Sequence, residues 1–239
     1  MGAEGGTTEE ARAERAAARV DDRVEDRGEG RFEDRVEATA GTERLVFFSD
    51  AVVAIAITLL ALDLHVPSGA TNSALWRDAA THRDDYLAFF ISFAVIGSHW
   101  LMHHRTFTYL TRLGGRLVRW NMMWLLTIAL TPFATRVIVG DGAFASRFML
   151  YALVQVLAAT FSLLCLREID RHRLLRPDAE AGVVALGYRR LTVMLVAFVV
   201  SIPLAFVTQL AYLCWVAIPF VLRAEREIAA LRRTRRRPA

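Results

Sequence analysis

The stretch Arg44-Leu45-Val46-Phe47-Phe48-Ser49-Asp50, continuing through Ala51-Val52-Val53-Ala54-Ile55-Ala56-Ile57-Thr58-Leu59-Leu60-Ala61-Leu62, decides how this chain is read. It is apolar enough to cross a bilayer, yet it opens with an arginine, a serine and an aspartate. A hydrocarbon core of about 30 Å needs about 20 helical residues, and the run supplies them. A charge inside such a span costs at least about 2.5 kcal/mol, so it normally has a partner and a purpose.

The rest of the chain agrees with a membrane assignment. Of its 239 residues 54% are hydrophobic, gathered into blocks, with the charges pushed to ends and junctions. That distribution indicates an integral membrane protein. Every one of the 29 basic residues is Arg. The net charge of +4 conceals an asymmetry: residues 1–43 carry 7 Arg against 13 acidic residues, and residues 223–239 carry 7 Arg against 2. Beside a membrane helix such a basic tail marks the cytoplasmic side, and nucleic acid is not the expected partner. Cys165 and Cys214 lie in apolar spans, so no disulfide framework is implied. The acidic N-terminus lacks the basic-then-apolar order of a cleavable signal peptide.

Residues 1–42 form a charged segment in which Arg15, Arg19, Arg23, Arg27, Arg31 and Arg35 recur every four residues without an apolar seam. A disordered or partly helical cytoplasmic tail is expected there. Residues 43–223 hold six apolar spans: Leu45–Leu64, Tyr86–Met102, Leu117–Thr135, Phe148–Leu166, Leu191–Val207 and Leu210–Leu222. Residues 224–239 form an Arg-rich tail. With six crossings, seventeen arginines at the junctions and C-terminus share one face and four share the other. The positive-inside rule then puts both termini in the cytoplasm, whereas five crossings would send the seven-Arg tail outside. Residues 65–84 become an outer loop in which Asn72–Ala80 is expected to form a short interfacial helix. The fold class is therefore an all-α integral membrane protein with six helices per subunit.

On a helical wheel, Ile55, Leu59 and Leu62 fall within about 60° of one another, Thr58 lies about 60° to one side of Ile55, and Asp50 lies about 140° from it. An aliphatic stripe of this kind ordinarily faces lipid or a neighbouring helix. The spacing R-x-x-x-F-S-D, here Arg44, Phe48, Ser49 and Asp50 at the head of the first span, resembles the signature of the transmembrane protein 175 family of potassium channels. The resemblance implies that the first helix lines a pore. It also implies that stacked aliphatic rings form a hydrophobic filter, which maps onto Ile55, Thr58, Leu59 and Leu62. Apolar rings gate by dewetting, and a nearby hydroxyl tunes selectivity. By its position on the wheel Asp50 is better placed to pin the helix against its neighbours than to bind ions at the mouth. Arg44 lies on the stripe's side of the wheel and receives no assignment.

The second span ends Gly97-Ser98-His99-Trp100-Leu101-Met102-His103-His104. His99 and His103 share a helix face and suit a metal, as in the histidine boxes of membrane desaturases. Such enzymes carry several boxes, whereas this chain has six histidines in all, and His65, His82 and His172 lack the spacing. Trp100-x-x-His103 also matches a pattern in the second helix of the channel family, where it would hydrogen-bond the Ser and Asp of the first helix. Asn121, near the start of the third span, needs a polar partner, for which Asp50 and His103 are the candidates. The third span, with Pro132-Phe133 near its end, resembles the family's third helix.

The resemblance covers spans one to three, and spans four to six match only in length and order. It implies a homotetramer in the bacterial cell membrane, non-enzymatic, with K+ as permeant ion and no resident cofactor. Anionic lipids are expected at the Arg-rich inner face, and the acidic tails are expected to concentrate cations near the inner mouth. The competing reading is a proton-conducting channel or proton-coupled transporter built on Asp50, His99 and His103.

Overall fold

The computed structural model describes residues 37–179, 182–218 and 220–223. The charged repeat before residue 37 and the Arg-rich residues 224–239 lie outside the described residues. Six helices come first: α1 (Glu37–Leu62), α2 (Asn72–Thr81), α3 (Arg83–Phe107), α4 (Leu117–Val139), α5 (Phe144–Arg171) and α6 (Val183–Leu204). A 3-10 turn at Gln209–Tyr212 then leads into helical residues 213–218 and 220–223, together α7. Among the described residues there is no β-strand. A single bridge pairs Leu110 with Leu175 and ties the α3–α4 connection to the α5–α6 connection.

Helices α1, α3, α4, α5 and α6 are long and apolar enough to cross a membrane. The sixth expected span is not: Gln209–Arg223 reaches only about 22 Å at 1.5 Å per residue, short of a core of about 30 Å. The cause is local. Helix α6 ends just after Pro203, and Thr208 caps the following turn by accepting from the Leu210 N–H at 3.1 Å. The chain then folds back, so that the Trp215 indole N–H donates to Ser201 Oγ at 2.9 Å. Fourteen residues of unbroken helix would separate the two by about 21 Å, so α6 and α7 form a hairpin.

Helices α3 and α5 outrun their apolar spans at both ends. Helix α3 starts at Arg83 with Asp84 and Asp85 in its first turn and closes with His104 and Arg105 in its last, charges that suit the helix dipole. Helix α5 gains a turn at each end, reaching from Phe144 to Arg171. The short helix α2 falls where a helix was expected, capped by Thr71, whose hydroxyl accepts from the Ala74 N–H at 3.2 Å. Pro132 lies within α4, which runs on to Val139, so the proline does not end that helix.

Helix α4 is the centre of the bundle. Leu117, Asn121, Trp124, Ile128, Thr131, Thr135 and Ile138 recur every three or four residues and are all buried. One core layer joins Val53, Ala56 and Leu60 of α1 to Ile96 of α3, Trp124, Leu125 and Ile128 of α4 and Ala158 of α5. A second layer gathers Phe148, Tyr151, Phe198 and Trp215 on the far side. The end of α1 is fixed by an ion pair between Asp63 and Arg136 at 3.0 Å. The α4–α5 turn closes over Arg147, whose guanidinium donates to the carbonyls of Ile138, Gly140 and Gly142.

Trp215 stacks on Phe148 with centroids 4.4 Å apart and is 5% exposed. Truncating a buried Trp costs about 3–5 kcal/mol in water-soluble cores. Between membrane helices the hydrophobic term drops out and packing remains, which favours the lower end. Trp215→Ala is expected to destabilise the detergent-solubilised protein by about 3 kcal/mol, read from its unfolding midpoint. An unchanged midpoint would contradict the hairpin.

Candidate functional site

Helix α1 has two distinct faces. Val53, Ala56 and Leu60 are 2%, 2% and 3% exposed and pack into the bundle. Ile55, Leu59 and Leu62 are 58%, 41% and 79% exposed, with Thr58 beside them. The four residues singled out as a filter thus share the one face of α1 that the chain itself leaves uncovered. Other helices also carry exposed apolar residues, Phe90, Phe93 and Val196 among them, so exposure alone does not separate a lipid contact from a contact with another copy. Thr58 Oγ1 donates to the Ile55 carbonyl at 2.8 Å, which commits its proton to the helix and leaves its lone pairs facing outward.

What holds α1 in this rotation is a polar clasp on its buried side. Asn121 Nδ2 donates to Ser49 Oγ at 2.9 Å, and Ser49 in turn donates to the Leu45 carbonyl at 2.8 Å. The Asn121 carbonyl oxygen lies 2.9 Å from His103 Nε2. An amide oxygen only accepts, so Nε2 carries the ring proton and Nδ1 keeps the lone pair. Ser49 and Asn121 are fully buried, and His103 is sandwiched between Phe107 and Trp124 with centroids 3.8 and 4.4 Å away. One residue along α1, Asp50 accepts from the Trp100 indole N–H at 2.8 Å, while its second oxygen lies 4.0 Å from His104 Nδ1.

The structure therefore brings Ser49, Asp50, Trp100, His103 and Asn121 together. Between the two candidate partners for Asn121 it selects His103, and His103 reaches the first helix through Asn121, not by touching Asp50. His99 stands apart. It is buried one turn before His103 and faces α5, where its Nδ1 lies 3.5 Å from Ser162 Oγ. His99 and His103 both line a cavity of about 20 Å³, room for about one water, together with Thr106, Cys165 and Ser162. Arg44 and Phe48 lie exposed on the uncovered side of α1, and among the described residues Arg44 makes no ion pair.

Sequence reading missed a second polar belt. Thr127, Thr131 and Thr135 recur at i,i+4 along α4, each bonding a carbonyl of the preceding turn. Thr135 Oγ1 also lies 2.8 Å from Ser92 Oγ, which is 3.1 Å from the Tyr151 hydroxyl, and Gln155 Nε2 is 3.4 Å from Thr131 Oγ1. The threonine spacing and the lone Gln155 were the available signals.

Comparison with known proteins gives this arrangement a family. Residues 44–132, from the motif arginine through α3 to the α4 proline, match the family described as endosomal/lysosomal potassium channel TMEM175. A potassium channel of Streptomyces collinus is 32% identical over 170 residues, covering 69% of this chain and 82% of that one. The chain belongs to the TMEM175 family. The crystal structure of a lysosomal potassium-selective channel TMEM175 homolog from Chamaesiphon minutus superposes with a TM-score of 0.61 at 27% identity, covering 80% of this chain and 98% of that one. An endosomal/lysosomal proton channel TMEM175 of Gallus gallus is 35% identical over 100 residues, 38% of this chain and 20% of that protein. The family match spans α1, α3 and most of α4, the three helices that build the clasp.

The clasp makes a quantitative test. Asn121→Ala strands a buried His103 N–H, which costs about 1–3 kcal/mol, and Ser49→Ala strands one Asn121 N–H. Unfolding of the two single variants and the double in mixed micelles is expected to give a coupling of about 0.6–1.7 kcal/mol, the range for bonds between membrane helices. Losses that simply add, within about 0.3 kcal/mol, would dissolve the clasp.

Proposed function

We propose that this TMEM175-family protein is a potassium-permeable cation channel in which four copies of α1 surround a central pore. Ile55, Thr58, Leu59 and Leu62 would then supply successive rings of the constriction. The observation that carries this reading is the rotation of α1. Its buried face is clasped by α3 and α4, and the aliphatic stripe is what remains uncovered. The names of the Streptomyces collinus and Chamaesiphon minutus relatives support potassium as the permeant ion.

One copy contributes one such helix, so a closed ring needs several copies, and cyclic symmetry brings identical stripes to a common axis. Four is the number the family resemblance implies. In this reading Ser49, Asp50, Trp100, His103 and Asn121 set the position of α1 and do not bind the ion, while Arg44 and Phe48 lie on its uncovered side and His99 faces α5. The seventeen-to-four arginine bias supports six crossings with both termini inside, the short α7 being the last. Residues 43–223 are then the channel unit, residues 1–42 and 224–239 are cytoplasmic tails, and K+ is the only ligand required.

A second reading, a proton-conducting channel or proton-coupled transporter, draws on the two buried imidazoles that face one cavity and on the name of the Gallus gallus relative. The line from His103 to α1 runs through the Asn121 amide, which passes a proton only by way of a high-energy tautomer. That favours the channel reading.

Bilayer recordings of the purified protein under biionic K+/Na+ conditions decide between them. The wild type is expected to carry K+ current that ignores a pH gradient, and Ile55→Asn is expected to lower discrimination between K+ and Na+ by several-fold while preserving current. Currents that follow the pH gradient and are unaffected by Ile55→Asn would favour the proton reading. A stable monomer or dimer by native mass spectrometry would remove the four-helix pore.

A further inference from the structure

The channel reading makes no use of three histidine and aspartate side chains at the outer end of the molecule. His65 follows α1 by three residues, Asp78 lies on α2, and His82 stands between α2 and α3. The sequence scatters them over eighteen positions, and the α1–α2 connection folds them together. His65 Nε2 is 2.8 Å from one Asp78 oxygen, and His82 Nδ1 is 3.7 Å from the other. One ligand atom from each of the three residues fits within 4.8 Å of the others.

We propose that His65, Asp78 and His82 form a binding site for a divalent transition-metal ion of the Zn2+ class, with water completing the coordination. Two imidazoles and a carboxylate are a donor set that Zn2+ takes in open sites, at about 2.0–2.2 Å per ligand. Tetrahedral ligands at that distance stand about 3.3 Å apart, and the observed 2.8 and 3.7 Å bracket that value. The side chains are 32%, 26% and 36% exposed, so the cluster is set into the surface with one side open to water.

The surroundings prepare the donors. The Asp78 oxygen facing His65 also accepts from the Ser68 N–H at 2.9 Å. The hydrogen bonds from His65 and from Ser68 fix the orientation of the Asp78 carboxylate. The rings of His65 and His82 lie face to face with centroids 3.5 Å apart and planes 14° apart. His82 Nδ1 also lies 3.0 Å from the Asp78 carbonyl, which keeps the ring beside the carboxylate. The frame extends to α3, where the Tyr86 hydroxyl donates to the His65 carbonyl at 2.8 Å. A bound ion therefore staples the outer end of α1 to α2 and to the start of α3. The inference does not rest on the channel reading, because binding is measured without conduction.

The test uses the full chain, freed of any affinity tag, in detergent micelles. Titration with Zn2+ by calorimetry is expected to give one ion per chain, and Co2+ is expected to develop visible absorption of tetrahedral type. Asp78→Asn, which keeps the shape of the carboxylate, is expected to weaken Zn2+ binding at least tenfold, and His65→Gln with His82→Gln is expected to abolish it. His172→Gln, which removes the His172–Glu168 pair, is expected to leave it unchanged. No Zn2+ uptake by the wild type would overturn the proposal. So would equal uptake by Asp78→Asn and the double variant, or loss in His172→Gln alone.

Discussion

The hydrogen bonds that join Ser49 to Asn121 and Asp50 to Trp100 are what the rest of the structure depends on. Lipid tails are as apolar as leucine, so no hydrophobic force tells a membrane helix which face to turn inward. Packing and a few polar contacts must supply that instruction. A helix turns 100° per residue, so a slip of one position would carry Ser49 away from Asn121 and replace the aliphatic stripe with a different set of side chains. Ser49 and Asp50 are neighbours in sequence and reach different helices, Ser49 to α4 and Asp50 to α3. Two anchors 100° apart fix the rotation as one anchor does not.

The same helix α4 that receives Ser49 also carries the second polar belt. Asn121 belongs to the clasp, and Thr131 and Thr135, two to four turns later, join Gln155 of α5 and Ser92 of α3. Trp124 lies between the two levels, stacked on His103 and fully buried. Helix α4 is therefore tied at two depths to three neighbours, while α6 and α7 attach to the far side through aromatic packing around Trp215. The division matches the reach of the family match, which ends at Pro132. Helices α3 and α4 orient α1, and α5 to α7 complete the bundle around them.

Much of this was legible in the chain because a bilayer imposes a length on every crossing. Five spans and the outer helix at Asn72–Thr81 followed from apolar runs and from the loop between them. The sixth expected span, Leu210–Leu222, is a shorter apolar helix than the others, because Thr208 and the turn at Gln209–Tyr212 consume the start of the run. The polar partners were harder. The wheel separated Asp50 from Ile55, but pairing Asn121 with His103 in preference to Asp50 depends on the rotation of α3 against α4, which one helix at a time does not contain. His65 and His82 looked scattered because sixteen residues lie between them in the chain, and only the folded α1–α2 connection brings their rings together.

The uncovered face of α1 also constrains how a channel built on it would discriminate among ions. Asp50 is turned away and held by Trp100, and Asp63 is paired with Arg136. Between Phe48 and Leu62 the stripe therefore presents alkyl and aromatic groups and one hydroxyl, without a carboxylate. A ring of carboxylates would favour cations by charge, and that route is closed here. In a channel lined by this stripe, selection among cations would rest on the work of stripping water at apolar rings, which is smaller for K+ than for the more tightly hydrated Na+. The Thr58 oxygen, with its proton committed to Ile55, is the one acceptor on the stripe able to replace part of the lost hydration. A filter of this kind tolerates little sideways movement of α1, because a ring widened by the diameter of a water molecule no longer strips its ion. Two buried polar anchors on a single helix would meet that requirement.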